Sequence, residues 1–308
     1  MPELPEVQTV VSELNRKLKN KTIRSVVVNV PKMISIGPAT VSNKRQVASD
    51  KVRIFKRLLL NQKILSVKRR AKLLIFDLQG PWSMLVHLKM TGQFIFEDQK
   101  QRAKTGGKYR LLNKKTALLE HLPSKHTHVV FYFTDGSVLY FNDVRKFGYL
   151  KLVHDDEIGQ VKELKEFGPE PLEKHFTFEV FSAQVKKRAR GKIKQVLMDN
   201  KVVAGIGNIY SDEILFLSGI RPERKVINIQ ERELREAYAN TKKVLAKAIK
   251  AKGSSVGDFV RTDGSWGQMG KFHFVYGRSG QKCKKCGAIV QSVKLGGRTA
   301  SFCPHCQK

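Results

Sequence analysis

Residues 128–141 read HVVFYFTDGSVLYF. Two runs of β-branched and aromatic residues flank Asp135-Gly136, and that dipeptide between alternating apolar runs is the strongest short-range signal for a β-hairpin. Working outward, TIRSVVVNV (22–30), KILSVKRRAKLLIFDL (63–78) and SMLVHLKMTGQFIF (83–96) carry the same short strand-forming pattern. Residues from about 22 to 153 are therefore read as a β-sandwich or barrel. A lysine-rich, weakly periodic stretch at about 97–125 interrupts them and reads as a surface insertion of loop with one short helix.

The pattern changes at FGPEPL (167–172), where two prolines and a glycine precede a switch to helical periodicity. FEVFSAQVKKR (178–188) and KIKQVLMDN (192–200) read as helices, and a third follows GIGN (205–208). A long helix is expected to open at Asn228, capped in a box with Glu231. Leu234, Tyr238, Thr241, Leu245 and Ala248 line its apolar face, and Gly253 ends it.

Of the 308 residues 41% are hydrophobic, enough for a real core and for two domains. No apolar run approaches membrane-spanning length, and the short polar opening has neither signal-peptide nor transit-peptide character. A cytoplasmic protein is expected. Lysine and arginine number 58 against 27 acids, a net charge of +31; that excess points to a polyanion, nucleic acid first, over a proteome-wide bias or an acidic membrane surface.

All four cysteines stand near the C-terminus as CKKC (Cys283, Cys286) and CPHC (Cys303, Cys306). Two such knuckles let four thiolates converge on one tetrahedral zinc, a closed and structural site. A pair of disulfides is the alternative, and it needs an oxidising compartment. His305 is read as a bystander because four sulfurs already fill the shell.

The chain opens MPELPEV. Removal of Met1 leaves Pro2 as a secondary amine, and an α-amino group titrating near ~8 is partly neutral and nucleophilic at physiological pH. On an aldehyde-level carbon it forms an iminium ion, an electron sink that makes neighbouring C–H bonds acidic. Glu3 and Glu6 then stand close enough in sequence to move a proton. GIGN suggests a dinucleotide fingerprint, but Tyr210 occupies the third glycine's place and no strand precedes it. Read alone, Met90 and Phe147 are core residues and Lys72 a solvated strand-end lysine.

MPELPEV, RRAK (69–72), HLKMTG (87–92), DVRKFG (143–148), FGPEPL, LMDNKVVAGIGNIYSDE (197–213) and GGRTASFCPHC (296–306) together resemble the formamidopyrimidine-DNA glycosylase family, over nearly the whole chain and in family order. The resemblance implies an α+β fold: an N-terminal β-sandwich flanked by helices (1–168, insertion included), a linker (169–177), a helix-two-turn-helix domain with a lesion-recognition loop (178–270), and a zinc-ribbon β-hairpin (271–308). It implies a bifunctional glycosylase and AP lyase of base excision repair that removes oxidised purines from double-stranded DNA. The enzyme is expected to be a monomer, associated with the bacterial nucleoid through DNA, with one structural zinc and no small-molecule cofactor.

Residue by residue, the resemblance makes Pro2 the nucleophile at C1′. Glu3 and Glu6 become the proton-handling carboxylates, and Lys72 a contact to a phosphate beside the lesion. Met90, Arg145 and Phe147 match void-filling and wedge residues, chemically suited to an irregular gap, an orphaned cytosine and an opened base step. The glycine turn and Asn208 are expected to meet a phosphate, as is Arg298. The stretch DGSWGQMGKFH (263–273) resembles the loop that closes over an extruded base, mobile without DNA, and Glu213 is a further pocket candidate. Gln8 stands where many relatives carry glutamate.

Two other readings compete. Endonuclease VIII shares the proline chemistry but prefers oxidised pyrimidines, against which Leu4 and the Arg145/Phe147 pair speak; a non-catalytic zinc-ribbon protein would bind nucleic acid without cutting it.

Overall fold

The computed structural model describes residues 1–38, 48–105 and 121–308. Among them the chain forms two compact units: Met1–Pro2 with Glu6–Lys165 and Ser254–Gly267, and Glu3–Pro5 with Glu166–Gly253 and Gln268–Lys308. The segment Ser254–Gly267, assigned to the helical domain on sequence, thus folds with the sandwich. Its Phe259 enters the sandwich core, and Thr262 donates both its N–H and its hydroxyl to Glu13 (3.1 and 2.8 Å).

The first unit holds all of α1 (Leu4–Leu18) but its first two residues, then β1 (Ile23–Val28), β2 (Ile34–Ile36), α2 (Ala48–Leu59), β3 (Ile64–Arg70), β4 (Leu73–Leu78), β5 (Trp82–His87), β6 (Gly92–Glu97), α3 (Gln99–Thr105), β7 (Thr127–Phe133), β8 (Val138–Asp143), β9 (Tyr149–His154) and α4 (Lys162–Glu166) up to its last residue. The strands make two sheets, β1-β7-β8-β6 and β2-β9-β5-β4-β3. Their apolar faces share one core that includes Phe76, Phe94, Phe131, Phe133 and Phe141. The hairpin predicted around Asp135-Gly136 joins β7 and β8. Gly136 supplies the positive φ (81°), and the Asp135 carboxylate accepts the Ser137 N–H at 3.0 Å.

The reading of MPELPEV as chemistry passed over α1 as an element. Val7, Val10, Val11, Leu14 and Leu18 fall at helical spacing and are buried in the sandwich core, which is why this stretch coils. Of the insertion, α3 is the described helix; residues 106–120 lie outside the described residues.

The second unit holds α5 (Phe178–Lys186), α6 (Ile193–Met198), α7 (Asn208–Leu217), α8 (Glu231–Lys250) and the hairpin of β10 (Gln291–Leu295) and β11 (Arg298–Phe302). Its core draws on Phe176, Phe181, Leu197, Tyr210, Leu234 and Leu245. The long helix opens two residues later than expected. Gln230 is the cap and Glu233 closes the box, accepting the Gln230 N–H at 2.8 Å, whereas Asn228 ends a 3-10 turn and Glu231 pairs with Arg235. Ile229 is buried just before the cap, so the chain packs an apolar residue before it coils. At the other end Gly253 (φ 78°) donates to Ala248 as expected of a C-terminal stop.

Candidate functional site

In the first unit Pro2 is buried two residues before α1. One turn on, the buried Glu6 accepts the Ser254 N–H at 2.7 Å. Further along α1, Glu13 takes the Arg261 guanidinium at 2.7 Å as well as Thr262. The segment 254–267 is thereby fastened to the helix that follows Pro2. Gln8 accepts from Arg69 Nε at 2.9 Å, so the residue that departs from the family pattern ties α1 to β3.

Lys72 sits in the β3–β4 turn, which Ala71 closes at φ 52°, and is only 4% exposed. It is not a solvated strand-end lysine. Together with Lys89 its charge acts on His87, whose imidazole burial chiefly pushes down to about 3. His87 therefore stays neutral at physiological pH, and its Nδ1 accepts the Lys89 N–H at 2.9 Å.

The loops after β5 and β8 are joined by one carboxylate. Asp143 is fully buried; its Oδ1 accepts the Thr91 hydroxyl and the Arg145 N–H (3.1 Å), and its Oδ2 accepts the Gly148 N–H at 2.7 Å. Gly148 is required here, since a Cβ would lie 2.9 Å from the Phe141 ring and 3.0 Å from Asp143. The pinned loop turns Arg145 and Phe147 outward. Phe147 is 55% exposed, with the Arg145 guanidinium 4.9 Å from its ring centre, and Met90 is half-buried on the loop that Thr91 anchors. Neither Phe147 nor Met90 is a core residue. An aromatic left in water beside a cation is suited to insertion into a nucleic-acid stack.

In the second unit the G-x-G turn serves the start of the chain. The buried Glu3 carboxylate accepts from the N–H groups of Gly207 (2.7 Å), Ile209 (2.8 Å) and Tyr210 (3.4 Å) at the opening of α7. This corrects the expectation that these amides face a phosphate, because a protein carboxylate already occupies that anion-binding position. The two glycines make room for it. A Cβ on Gly207 would fall 2.5 Å from Glu3 Cδ, and one on Gly205 (φ 88°) 2.6 Å from Leu4 Cβ.

Asn208 lies beside the phenol of Tyr276, a residue the sequence did not single out. Burial raises that phenol's pKa, with the charge of Glu3 adding and that of Arg298 opposing, so Tyr276 lies within electrostatic reach of both. Arg298 is exposed at the start of β11, directly after the Gly296-Gly297 turn (φ 54° and 75°). Behind it, buried Lys194 of α6 donates to Asp212 (2.7 Å) and to the Thr299 carbonyl (2.9 Å), and Asp212 accepts the Ser301 N–H at 3.0 Å. Burial pushes the Asp212 carboxyl up to about 7 and the Lys194 ammonium down, each opposed by its partner. Glu213, expected near the pocket, has both oxygens engaged by the N–H groups of Phe274, Val275 and Tyr276. The carboxylate thereby fixes the backbone of residues 274–276.

The four cysteine sulfurs lie within 4.8 Å of one another, with Cys283–Cys306 at 4.0 Å and Cys286–Cys303 at 3.5 Å. Tetrahedral zinc with bonds of about 2.3 Å requires sulfur separations of about 3.8 Å, which these bracket. The Lys285 and Cys306 N–H groups point at Cys283 and Cys303 sulfur, as thiolates require. His305 is exposed and outside the cluster. The donor set fits one structural zinc, and none of the four positions is open for chemistry.

Three family models match the chain: the formamidopyrimidine-DNA glycosylase N-terminal domain over residues 1–150, the H2TH domain of the same proteins over 167–260, and a zinc finger found in FPG and IleRS over 280–308. A formamidopyrimidine-DNA glycosylase of Listeria monocytogenes is 37% identical over 308 residues, covering all of both chains. One from Pelotomaculum thermopropionicum is 35% identical over 100% of this chain and 99% of its own. Among solved structures, Lactococcus lactis Fpg in complex with DNA containing an abasic site superposes with a TM-score of 0.82 at 32% identity, covering 99% of each chain. The same protein with DNA containing an oxidised pyrimidine gives 0.81 at 32% identity over the whole of both chains. With all three domain types in order and full-length identity to curated members, this chain belongs to the formamidopyrimidine-DNA glycosylase family.

Proposed function

We propose that this protein is a bifunctional DNA glycosylase and AP lyase of base excision repair, acting on oxidised purines in duplex DNA in the cytoplasm, where DNA holds it on the nucleoid. The observation that carries the reading is the anchoring of Glu3. A carboxylate one residue from the proposed nucleophile is fixed by three N–H groups from more than two hundred residues away, which hold both of its oxygens in one orientation. In this mechanism the Pro2 nitrogen, freed of Met1, bonds to C1′ as the C1′–base bond breaks, and the base leaves with the bonding pair and takes a proton from solvent. The Pro2 nitrogen gives up its own N–H proton to Glu3, which passes it to the ring oxygen, and opening of the sugar ring leaves a positively charged iminium. Loss of the acidified C2′ proton expels the 3′ phosphate, and a second elimination expels the 5′ phosphate. Glu6 supports the proton transfers, while Lys72, Asn208 and Arg298 hold backbone phosphates.

Phe147, Met90 and Arg145 fill the gap left when the base is extruded, an event that costs a few kcal/mol. The exposure of Phe147 and Arg145 supports this assignment, and segment 263–273 closes over the extruded base. Zinc keeps the hairpin folded and so holds Arg298. The test is borohydride reduction in the presence of an 8-oxoguanine duplex. Wild-type protein becomes covalently trapped and protein retaining Met1 does not; an untrappable wild type refutes the proposal. The oxidised-pyrimidine complex of the Lactococcus lactis relative makes a thymine glycol duplex the natural comparison substrate, with faster cleavage of the purine lesion expected.

A further inference from the structure

The turn from α5 to α6 carries Lys186, Lys187, Arg188, Arg190 and Lys192, five exposed cations in seven residues. It is a built surface. Gly191 donates to the Arg188 carbonyl at 2.7 Å, and Val226 and Ile227 donate to Gly191 and Ala189 at 3.0 and 2.9 Å. Lys192 and Lys225 pair as an antiparallel bridge, which adds a sixth exposed cation. A Cβ on Gly191 would lie 2.7 Å from Val196, so the turn is packed against α6.

Under these cations runs a cleft of about 550 Å³, lined by Lys187, Arg188, Arg190, Gln195, Val196 and Asp199 among others. Its one acid is committed. Asp199 faces Arg188 at 3.7 Å and accepts the Lys201 N–H at 2.9 Å, leaving the charge of Lys187 and Arg190 uncompensated there. The far wall leads to the hairpin: a Cβ on Gly296 would fall 2.2 Å from Gln195 Nε2, so this side chain lies against the turn that precedes Arg298. Concave and cationic, the cleft adjoins the turn that precedes Arg298.

We propose that this cleft is a second phosphate-binding site, which holds the DNA backbone beyond the phosphate assigned to Arg298; for the identity of the polyanion it rests on the glycosylase reading. The cations are spaced along a groove, and their one exposed large apolar neighbour, Ile227, is a single side chain rather than the apolar face that enters a lipid layer, which favours a nucleic-acid backbone over a membrane. Its contribution is to affinity and placement on the duplex, leaving the chemical step to other residues.

The test compares wild type with Lys187→Ala/Arg190→Ala, a variant that spares the Arg188–Asp199 pair, and with the charge-conserving Lys187→Arg/Arg190→Lys. Binding to a duplex carrying an abasic analogue is followed by fluorescence anisotropy over a salt series, and strand cleavage is timed at saturating enzyme. The alanine variant should lose about 2 from the slope of log K against log salt, about 0.9 for each phosphate released. Its cleavage rate should be unchanged and the charge-conserving variant should keep the wild-type slope. An unchanged slope in the alanine variant overturns the proposal, as does a lost slope in the conserving variant or a lost cleavage rate at saturation. Loss of binding to phosphatidylserine vesicles with an unaltered DNA slope overturns it in favour of a lipid surface. A wild type that shows the salt slope but resists borohydride trapping refutes the glycosylase reading alone.

Discussion

Asp143→Asn tests how the loop bearing Arg145 and Phe147 is held. The carboxylate accepts two backbone N–H groups and a hydroxyl in a fully buried position. Asparagine keeps the shape but offers one acceptor oxygen, so whichever way it turns, an N–H of Arg145 or Gly148 meets an NH₂ group. The Arg145 N–H can fall back on the Thr91 hydroxyl at 3.1 Å, so the cost is that of giving up charge-assisted bonds to a buried carboxylate, about 3 kcal/mol. At about 2–4 °C per kcal/mol for a domain of this size, Tm should fall by about 6–12 °C. Freed from its anchor, the loop no longer presents Phe147 in one conformation. If that wastes only about 1.4 kcal/mol of the extrusion energy, single-turnover excision of a paired lesion slows about tenfold. Cleavage of a ready-made abasic site, with no base to extrude, should slow less. A variant within about 0.5 kcal/mol of wild type in urea unfolding, with unaltered excision, would refute this account of the loop.

Three more outcomes follow from the same geometry. Gly207→Ala places a methyl where Glu3 Cδ stands, at 2.5 Å; overpacking should cost about 1–3 kcal/mol and reduce borohydride trapping far more than DNA binding. Equal loss of both would argue against a chemical role for Glu3. Removal of zinc by a chelator should unfold the ribbon, weaken DNA affinity through Arg298 and be reversed by one equivalent of zinc, as read by anisotropy and metal analysis. His87 and His273 are held neutral, burial pushing them down to about 3 and about 4. The unfolded chain protonates both below about 6.5 while the folded protein does not. Stability is thus intact above that pH and falls on acidification, by roughly 2 kcal/mol per histidine at about pH 5 in denaturant titrations.

Local patterns carried the sandwich and the ribbon into view. Strand alternation around Asp135-Gly136 and paired C-x-x-C knuckles are signals contained within a few residues, and the fold realises both. The start of α8 was displaced because two capping boxes compete within three residues, and the burial of Ile229 decides between them. What the sequence concealed are bonds between distant segments. Glu3 with α7, Glu13 with Thr262 and Glu213 with 274–276 each join positions far apart in the chain. No periodicity records them. Tyr276 escaped notice for the same reason, since its neighbours Asn208 and Arg298 belong to other elements. The GIGN glycines were legible as a tight turn, but the occupant of that turn, the chain's own third residue, was not.

The central claim is that the nitrogen of residue 2 becomes covalently bonded to the lesion sugar. Peptide mapping of the borohydride-reduced adduct by mass spectrometry addresses it directly. The account predicts the deoxyribose remnant on Pro2 at the N-terminus of a Met1-less peptide. A remnant on any lysine, or active protein that still carries Met1, would contradict it.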